Sequence, residues 1–434
     1  MRVLSSDIDQ FVDQTITIQG WLHKKRLLGG ITFINVRDRH GIIQIVVEDK
    51  NEIEKLRGLQ IGTVLQVSGL VKKEERAPGG FELHKVEISV MVPVSDEPPI
   101  EIDKPLSHKS DNLDTLFDNR VIGLRNLAEA DIFRLRSIIV TYIREFLLQQ
   151  DFIEINSPKL VGGAAEGGAE VFTLDYFGKE ATLAQSPQLY KQIMVGVFER
   201  VFEIGPAFRA ELSATTRHVS EVTMLDVEIG FIENHNDVLK LLESMLYQVL
   251  TKLYQTSANV LKRLNVPDLV LKPDFPRFKM SEIHDMYQKA TGHDVSQELD
   301  LIPDEERWVC EYAKKNLGCE AVFATDLPES KMKFYHMKGE NDVARSADLL
   351  FRGVEISTVP QREHRYEELI SQMKKAGIDP NSPAFAPYVS AFKYGLPPHG
   401  GFGFGIDRLT QKVIGLSNVK EAILFPRDIN RLNP

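Results

Sequence analysis

Residues 1–95 carry five short β-branched runs, TITIQGWL, ITFINVRD, GIIQIVVED, TVLQVSGLVKK and FELHKVEISVMV, separated by Gly-rich or charged turns. Apolar and polar positions often alternate within them, which is the period of a strand with one face buried. One helical stretch, NEIEKLRGL, fits between the third and fourth runs. Five strands with a helix after the third is the order of an OB-fold barrel, an architecture that commonly binds oligonucleotides. A small β-barrel with no ligand would show the same pattern. The barrel accounts for under a quarter of 434 residues, so at least one further domain follows.

Residues 96–125 are rich in Pro, Asp and Ser and lack a period, so they read as a linker. From 126 to 434 the chain alternates helices with strands. ADIFRLRSIIVTYIREFLLQQ, NDVLKLLESMLYQVLTKLYQ, REHRYEELISQMKKAG and DRLTQKVIG are the helices. TLAQSP, RVFEIGPAFRAE, VTMLDVEIGFI, DLLFRGVEIS and GGFGFGI are the strands, and DFIEINSPKL is a strand closed by Pro158. Several strands follow one another without a crossover helix. The expected second domain is therefore an antiparallel sheet flanked by helices, giving a multidomain α/β chain.

Composition narrows the function classes. No apolar run approaches the roughly 20 residues of a membrane span, and MRVLSSDIDQFVDQ lacks the apolar core of a secretory signal. The two cysteines, Cys310 and Cys319, are too few and too far apart for a disulfide framework or a CxxC metal site. A reducing, cytoplasmic setting fits. The net charge of −10 argues against wrapping nucleic acid by bulk attraction, although a local basic face remains compatible with it.

Four segments could carry chemistry. FRAELSATTRHVSE places Arg209 and Glu211 two apart on one strand face, followed by Arg217 and His218 in a loop. Guanidinium forks there suit a polyphosphate, and a surface hairpin with salt bridges would look the same. HGGFGFGIDRL has glycines at 401, 403 and 405, which leave one strand face bare for a flat ligand or a packed helix, with Arg408 opening the next helix. It is not a dinucleotide fingerprint, since no βαβ unit follows. FRGVEISTVPQREHR sets Glu355 and Thr358 together as oxygen ligands suited to Mg²⁺, with Arg362 four residues on. EGGAEVF and QSPQLYKQ supply Glu166, Gln188 and Lys191, groups able to hold an ammonium and to balance a carboxylate.

In this order the segments resemble the three signature motifs of class II aminoacyl-tRNA synthetases. Phe152 to Pro158 with the preceding helix is similar to motif 1, the dimer-interface element; Arg209 to Glu228 is similar to motif 2, and Gly401 to Arg408 to motif 3. The barrel in front matches class IIb, and the resemblance spans essentially the whole chain. QSPQLYK, FRAE, TTRH, QREHR, AFKYGLPPHGG and LFPRD resemble the aspartyl branch of the short archaeal and eukaryotic type.

The resemblance implies a site. Arg209, Ala210, Glu211, Arg217, His218 and Val219 would hold ATP together with Glu355, Gly405, Ile406, Asp407 and Arg408. Of these, Arg209, Glu211 and Arg408 would act most directly in catalysis, and Glu355 with Thr358 would bind Mg²⁺. Glu166, Gln188, Leu189, Tyr190, Lys191, Arg209, Thr358 and Arg362 would surround L-aspartate. Lys191 and Arg362 would read its side-chain charge, and Lys191 favours aspartate over asparagine. Phe33, Gln44 and Glu82 would meet the anticodon, Phe33 by stacking, beside cationic Lys24, Lys25 and Arg26. His23 and Pro78 stand where enzymes restricted to tRNA(Asp) tend to have Trp and Lys. That implies the type charging both tRNA(Asp) and tRNA(Asn), as a homodimer. An asparaginyl enzyme, a paralogous amino-acid ligase without a tRNA role, and a paralogue that binds RNA without aminoacylation are the competing readings. Val359–Pro360, Met332, Val222 and Leu212 depart from the family pattern around ATP and the metal.

Overall fold

Alternation makes a barrel of the first unit. The computed structural model describes residues 2–104, 110–163, 171–212 and 215–434, which divide into two units, 1–130 and 131–434. In the first, β1 (Thr15–Leu28), β2 (Ile31–Arg37), β3 (Ile42–Val47), β4 (Val64–Lys73) and β5 (Phe81–Val92) close in the order β1-β2-β3-β5-β4. Ile34, Val36, Ile43, Ile45, Leu65 and Val67 point inward and are buried. The helix after the third strand is there, at Lys50–Arg57. Asp49 caps it by accepting from the Asn51 and Glu52 amides at 2.8 and 3.1 Å. At its other end, the Lys25 ammonium donates to the carbonyls of Leu56, Arg57 and Leu59 at 3.2, 3.0 and 2.7 Å. Lys25 thus neutralises a helix C-terminus, and this removes it from the cationic patch expected of it.

The segment expected to be a featureless linker is partly helical. Helices span Ser110–Asp118 and Arg120–Gly123, and Leu113, Leu116 and Phe117 bury against Ile100. Positions 113, 116 and 117 have helical spacing, which the surrounding Pro, Asp and Ser obscured.

The second unit is built on β6 (Ile153–Glu154), β7 (Leu160–Val161), β8 (Thr173–Tyr176), β9 (Lys179–Leu183), β10 (Arg200–Phe208), β11 (Glu221–Gly230), β12 (Arg277–Lys279), β13 (Ala321–Thr325), β14 (Ser346–Phe351), β15 (Val354–Pro360) and β16 (His399–Gly405). Among the described residues eight of these form one sheet, ordered β12-β13-β14-β15-β16-β11-β10-β6. Its four central pairings from β14 to β10 are antiparallel, as expected, while the β12–β13 and β10–β6 pairs at the rims are parallel. DLLFRGVEIS is two strands rather than one: Arg352 and Gly353, at φ 47° and 78°, form a two-residue hairpin turn. Arg352 is held there by Glu320, to which its Nε and Nη2 donate at 2.9 and 2.8 Å. DFIEINSPKL is extended and pairs at two short places, Ile153–Glu154 with β10 and Leu160, the start of β7, with β9.

One face of the sheet is covered by helices Leu127–Gln149, His235–Thr256 and Ile406–Ile414. Leu239, Leu242, Leu246, Phe402, Phe404 and Leu409 share that core and are at most 1% exposed. Side chains alternate across a strand, so the residues between them face the opposite way. There the sheet carries glycines and charges.

Candidate active site

Register sets the floor of a cleft. Asp348 pairs with Thr358, Thr358 with Gly403, and Gly403 with Asp226, so these four side by side on β14, β15, β16 and β11 face one way. The neighbouring row brings Glu228 opposite Gly401. A cleft of about 380 Å³ opens over this surface. Gln188, Arg209, Glu211, Arg217, His218, Val219, Glu355, Thr358, Arg362, Gly405, Asp407 and Arg408 all line it. The fold therefore gathers residues from across some 220 positions that the sequence could only name separately.

At one end are the groups expected to hold ATP. Arg209 and Glu211 lie just past the end of β10 rather than within a strand, and are 3.9 Å apart; His218 Nε2 is 3.4 Å from Glu211. Arg217 donates to Glu306 at 2.7 Å. Arg408 donates through Nη1 to the Glu355 carbonyl at 3.0 Å, which fixes its guanidinium over the floor. Asp407 is anchored from behind: Arg136 donates to Oδ1 through Nε and Nη2 at 3.0 and 2.8 Å, and the Thr223 amide donates to Oδ2. Burial raises the Asp407 pKa, and Arg136 offsets part of that. Ala210 and Ile406 do not line the cleft; Ile406 is core. Val222 forms part of the wall where an aromatic was absent, whereas Leu212 is 81% exposed.

In the middle, the Thr358 hydroxyl donates to Glu355 Oε1 at 3.0 Å. Asp348 stands opposite Thr358, and its Oδ1 is buried without a partner. Burial raises the Asp348 pKa well above the usual carboxylate range, and the negative charge of Glu355 adds to it. Two carboxylates that repel one another, beside a hydroxyl, form an oxygen-rich set that a divalent cation would relieve. Sequence reasoning missed Asp348, although a carboxylate inside the otherwise apolar strand SADLLF was a usable signal.

At the far end lies a buried quartet of charges. Arg362 donates to Glu228 Oε1 and Oε2 through Nε and Nη2 at 2.9 and 3.2 Å. Lys191 donates to Asp226 Oδ1 at 2.9 Å and to the Phe402 carbonyl at 3.0 Å, with Glu228 3.5 Å away. Burial alone would push the Glu228 pKa up, but Arg362 and Lys191 together bring it below its usual value. Lys191 is fully buried and does not line the cleft, so it reaches the cleft only through Asp226, which does. Leu189 and Tyr190 also lie off the cleft, Leu189 against an apolar cluster. Gln188 lines it and donates to Gln192 at 2.9 Å. Glu166 lies outside the described residues.

On the barrel, Arg26 pairs with Phe33, and Gln44 pairs with both Asn35 and Glu82, so Arg26, Phe33, Gln44 and Glu82 share the outer face. Phe33 is therefore a surface aromatic rather than core. Gln44 and His84 both contact the Glu82 carboxylate, at 2.8 and 2.7 Å. Pro78 is exposed in the turn before β5, whereas His23 is buried at a β1 bulge with its Nδ1 unpartnered. Burial lowers the His23 pKa, helped by Arg37.

An antiparallel sheet with an arginine-walled, glycine-floored cleft, in a chain with an OB barrel, defines an ATP-using enzyme that handles nucleic acid. The chain belongs to the class II tRNA synthetases (D, K and N), whose family model matches residues 112–429, and the OB-fold nucleic acid binding domain model matches residues 16–93. It is 42% identical to a Thermus thermophilus protein named aspartate–tRNA(Asp/Asn) ligase, with all of both chains covered. It is 39% identical to the aspartate–tRNA(Asp) ligase of Pyrococcus abyssi over 99% of each. Asparaginyl-tRNA synthetase from Pyrococcus horikoshii, solved with asparaginyl-adenylate, superposes over the whole of both chains with a TM-score of 0.91 at 30% identity.

Proposed function

We propose that this enzyme attaches L-aspartate to tRNA(Asp) and also to tRNA(Asn), through an aspartyl-adenylate. The buried quartet of Lys191, Arg362, Asp226 and Glu228 carries this reading. Arg362 spends two donors on Glu228 and keeps Nη1, which has no partner among the described residues, for a ligand. A carboxylate accepts from it with charge assistance, whereas an amide side chain offers only a neutral oxygen and brings donors of its own. That difference favours aspartate over asparagine. Asp226 lines the cleft and suits the α-ammonium group.

The first step needs no protein nucleophile. An oxygen of the aspartate α-carboxylate attacks the α-phosphorus in line, the bond to the bridging oxygen breaks, and pyrophosphate leaves with the electron pair. Arg209 and Arg408 neutralise charge that develops on the phosphoryl oxygens, and Arg217 with His218 orients the leaving end. Mg²⁺ held by Asp348, Glu355 and Thr358 would supply further neutralisation of phosphate charge. In the second step, a terminal ribose hydroxyl of tRNA attacks the adenylate carbonyl and AMP leaves. Arg26, Phe33, Gln44 and Glu82 would hold the anticodon, with Phe33 stacking on a base. Buried His23 acts on that choice only by shaping β1, while exposed Pro78 is placed to meet RNA. The setting is the cytoplasm, and the oligomer a two-fold homodimer formed by the Leu127–Gln149 helix and the segment after it, where Leu148, Ile153 and Leu160 are exposed.

ATP–pyrophosphate exchange with each amino acid, followed by charging of both tRNA transcripts, tests the proposal. Exchange with aspartate and not asparagine, and comparable charging of the two tRNAs, are expected. Exchange with asparagine alone or with neither amino acid overturns the aspartyl assignment, and a large preference for tRNA(Asp) overturns the dual one.

A further inference from the structure

His336 is a buried, cleft-lining imidazole for which the reaction just described has no use. It is 8% exposed, and its backbone bridges that of Arg362. The Lys333 amide lies 3.4 Å from Nδ1, so Nδ1 is the acceptor and the ring proton sits on Nε2. Nε2 has no partner among the described residues. Burial holds the ring's pKa well below its usual value, and Arg362, Lys333 and Lys191 add to that, so the ring stays neutral. A neutral Nε2–H is a donor, and on a ring that lines the cleft it is open to an acceptor that a ligand brings. The floor beside it carries a polar group that is buried outright. Ser346, cross-strand from Pro360 and also lining the cleft, has a buried hydroxyl without a partner.

We propose that His336 is a further substrate-binding residue, donating Nε2–H to the side-chain carboxylate of bound aspartate beside the free Nη1 of Arg362. This rests on the aspartyl reading above and sharpens it. His336 Nε2 and Arg362 Nη1 then present two donors to a side-chain carboxylate that only accepts, while Asp226 is left to the α-ammonium group. An amide nitrogen placed there would face donors with its own hydrogens.

The test is ATP–pyrophosphate exchange on the full chain with His336→Phe and His336→Gln. Phe keeps a ring and loses the donor, while Gln keeps an N–H at similar reach. His336→Phe should raise KM for aspartate by about 10- to 100-fold, the scale of one hydrogen bond to a charged group, with KM for ATP unmoved. His336→Gln should recover most of that loss. An aspartate KM within about twofold of the parent in His336→Phe overturns the proposal. So does an equal loss in both variants, or a parallel rise in KM for ATP, because each points to shape rather than donation. The parent enzyme separates the two levels of inference. If it fails to exchange with aspartate, the functional reading falls; if it exchanges and His336→Phe matches it, only the role of His336 falls.

Discussion

Glu228 is the residue on which the amino-acid end of the cleft balances. It takes two hydrogen bonds from Arg362 and faces Lys191, all three at most 2% exposed. Removing one member of a buried set leaves an uncompensated charge, so Glu228→Gln should cost about 3–5 kcal/mol of stability at pH 7. The pH dependence has a defined sign. A carboxylate whose folded pKa is depressed contributes stability that is fully present above its unfolded value and lost as pH falls through the folded one. The gap in unfolding free energy between parent and variant should therefore hold steady from pH 7 down to the ordinary glutamate value of 4.5, and shrink only below it. Urea titrations across that range measure it, and a gap that closes at pH 6 would contradict the ion-pair account. At this scale the sequence was read well in identity and less well in placement. Arg362 and Lys191 were named as a charge-reading pair, yet one lines the cleft and the other lies behind it, because depth within a sheet leaves no trace in residue spacing. His336 was passed over for a related reason, since it owes its character to burial and to Arg362, 26 positions away, which only packing reveals, whereas Asp348 was missed despite its signal within an apolar strand.

Glycines 401, 403 and 405 lie on the same side of β16 but are needed for different reasons. A Cβ on Gly401 would lie 2.0 Å from the Val227 carbonyl and 2.3 Å from Glu228 Oε2, so the strand or the quartet must move. One on Gly403 would meet Met224 and Asp226 at 3.5 and 3.6 Å, an ordinary contact, while projecting into the cleft. Gly401→Ala should thus lose about 3 kcal/mol in a thermal or chemical unfolding experiment. Gly403→Ala should unfold like the parent and raise KM for ATP about tenfold, a loss of about 1.4 kcal/mol in binding. Alternation at i, i+2, i+4 was visible in HGGFGFG, and the choice between a ligand and close packing was not. The answer is both, distributed along the strand. Strand order was harder to see than strand content, because β16 pairs with β11 across some 170 residues of chain. The DLLFRGVEIS hairpin shows a local limit too, since an arginine at positive φ gives no turn signal unless its acidic partner, 32 residues away, is known.

Two units with separate cores imply that RNA reading and amino-acid activation can be impaired independently. Phe33→Ala should raise KM for tRNA by about 10- to 100-fold, the loss of one base–aromatic stack of 1–3 kcal/mol, and leave ATP–pyrophosphate exchange untouched. Equal damage to both would deny the separation. The barrel was the most legible part of the chain, since its strands are consecutive and its register follows from alternation alone. Its specificity was the least legible, as His23 proved to be interior. One consequence of the quartet reaches past chemistry to ancestry. Lys191, Asp226, Glu228 and Arg362 are each answered by another, so no single codon change among these four can retune the pocket toward a neutral amino acid without stranding a partner. A descendant that switches substrate through them has to cross a valley of poorly folding intermediates or alter two sites at once.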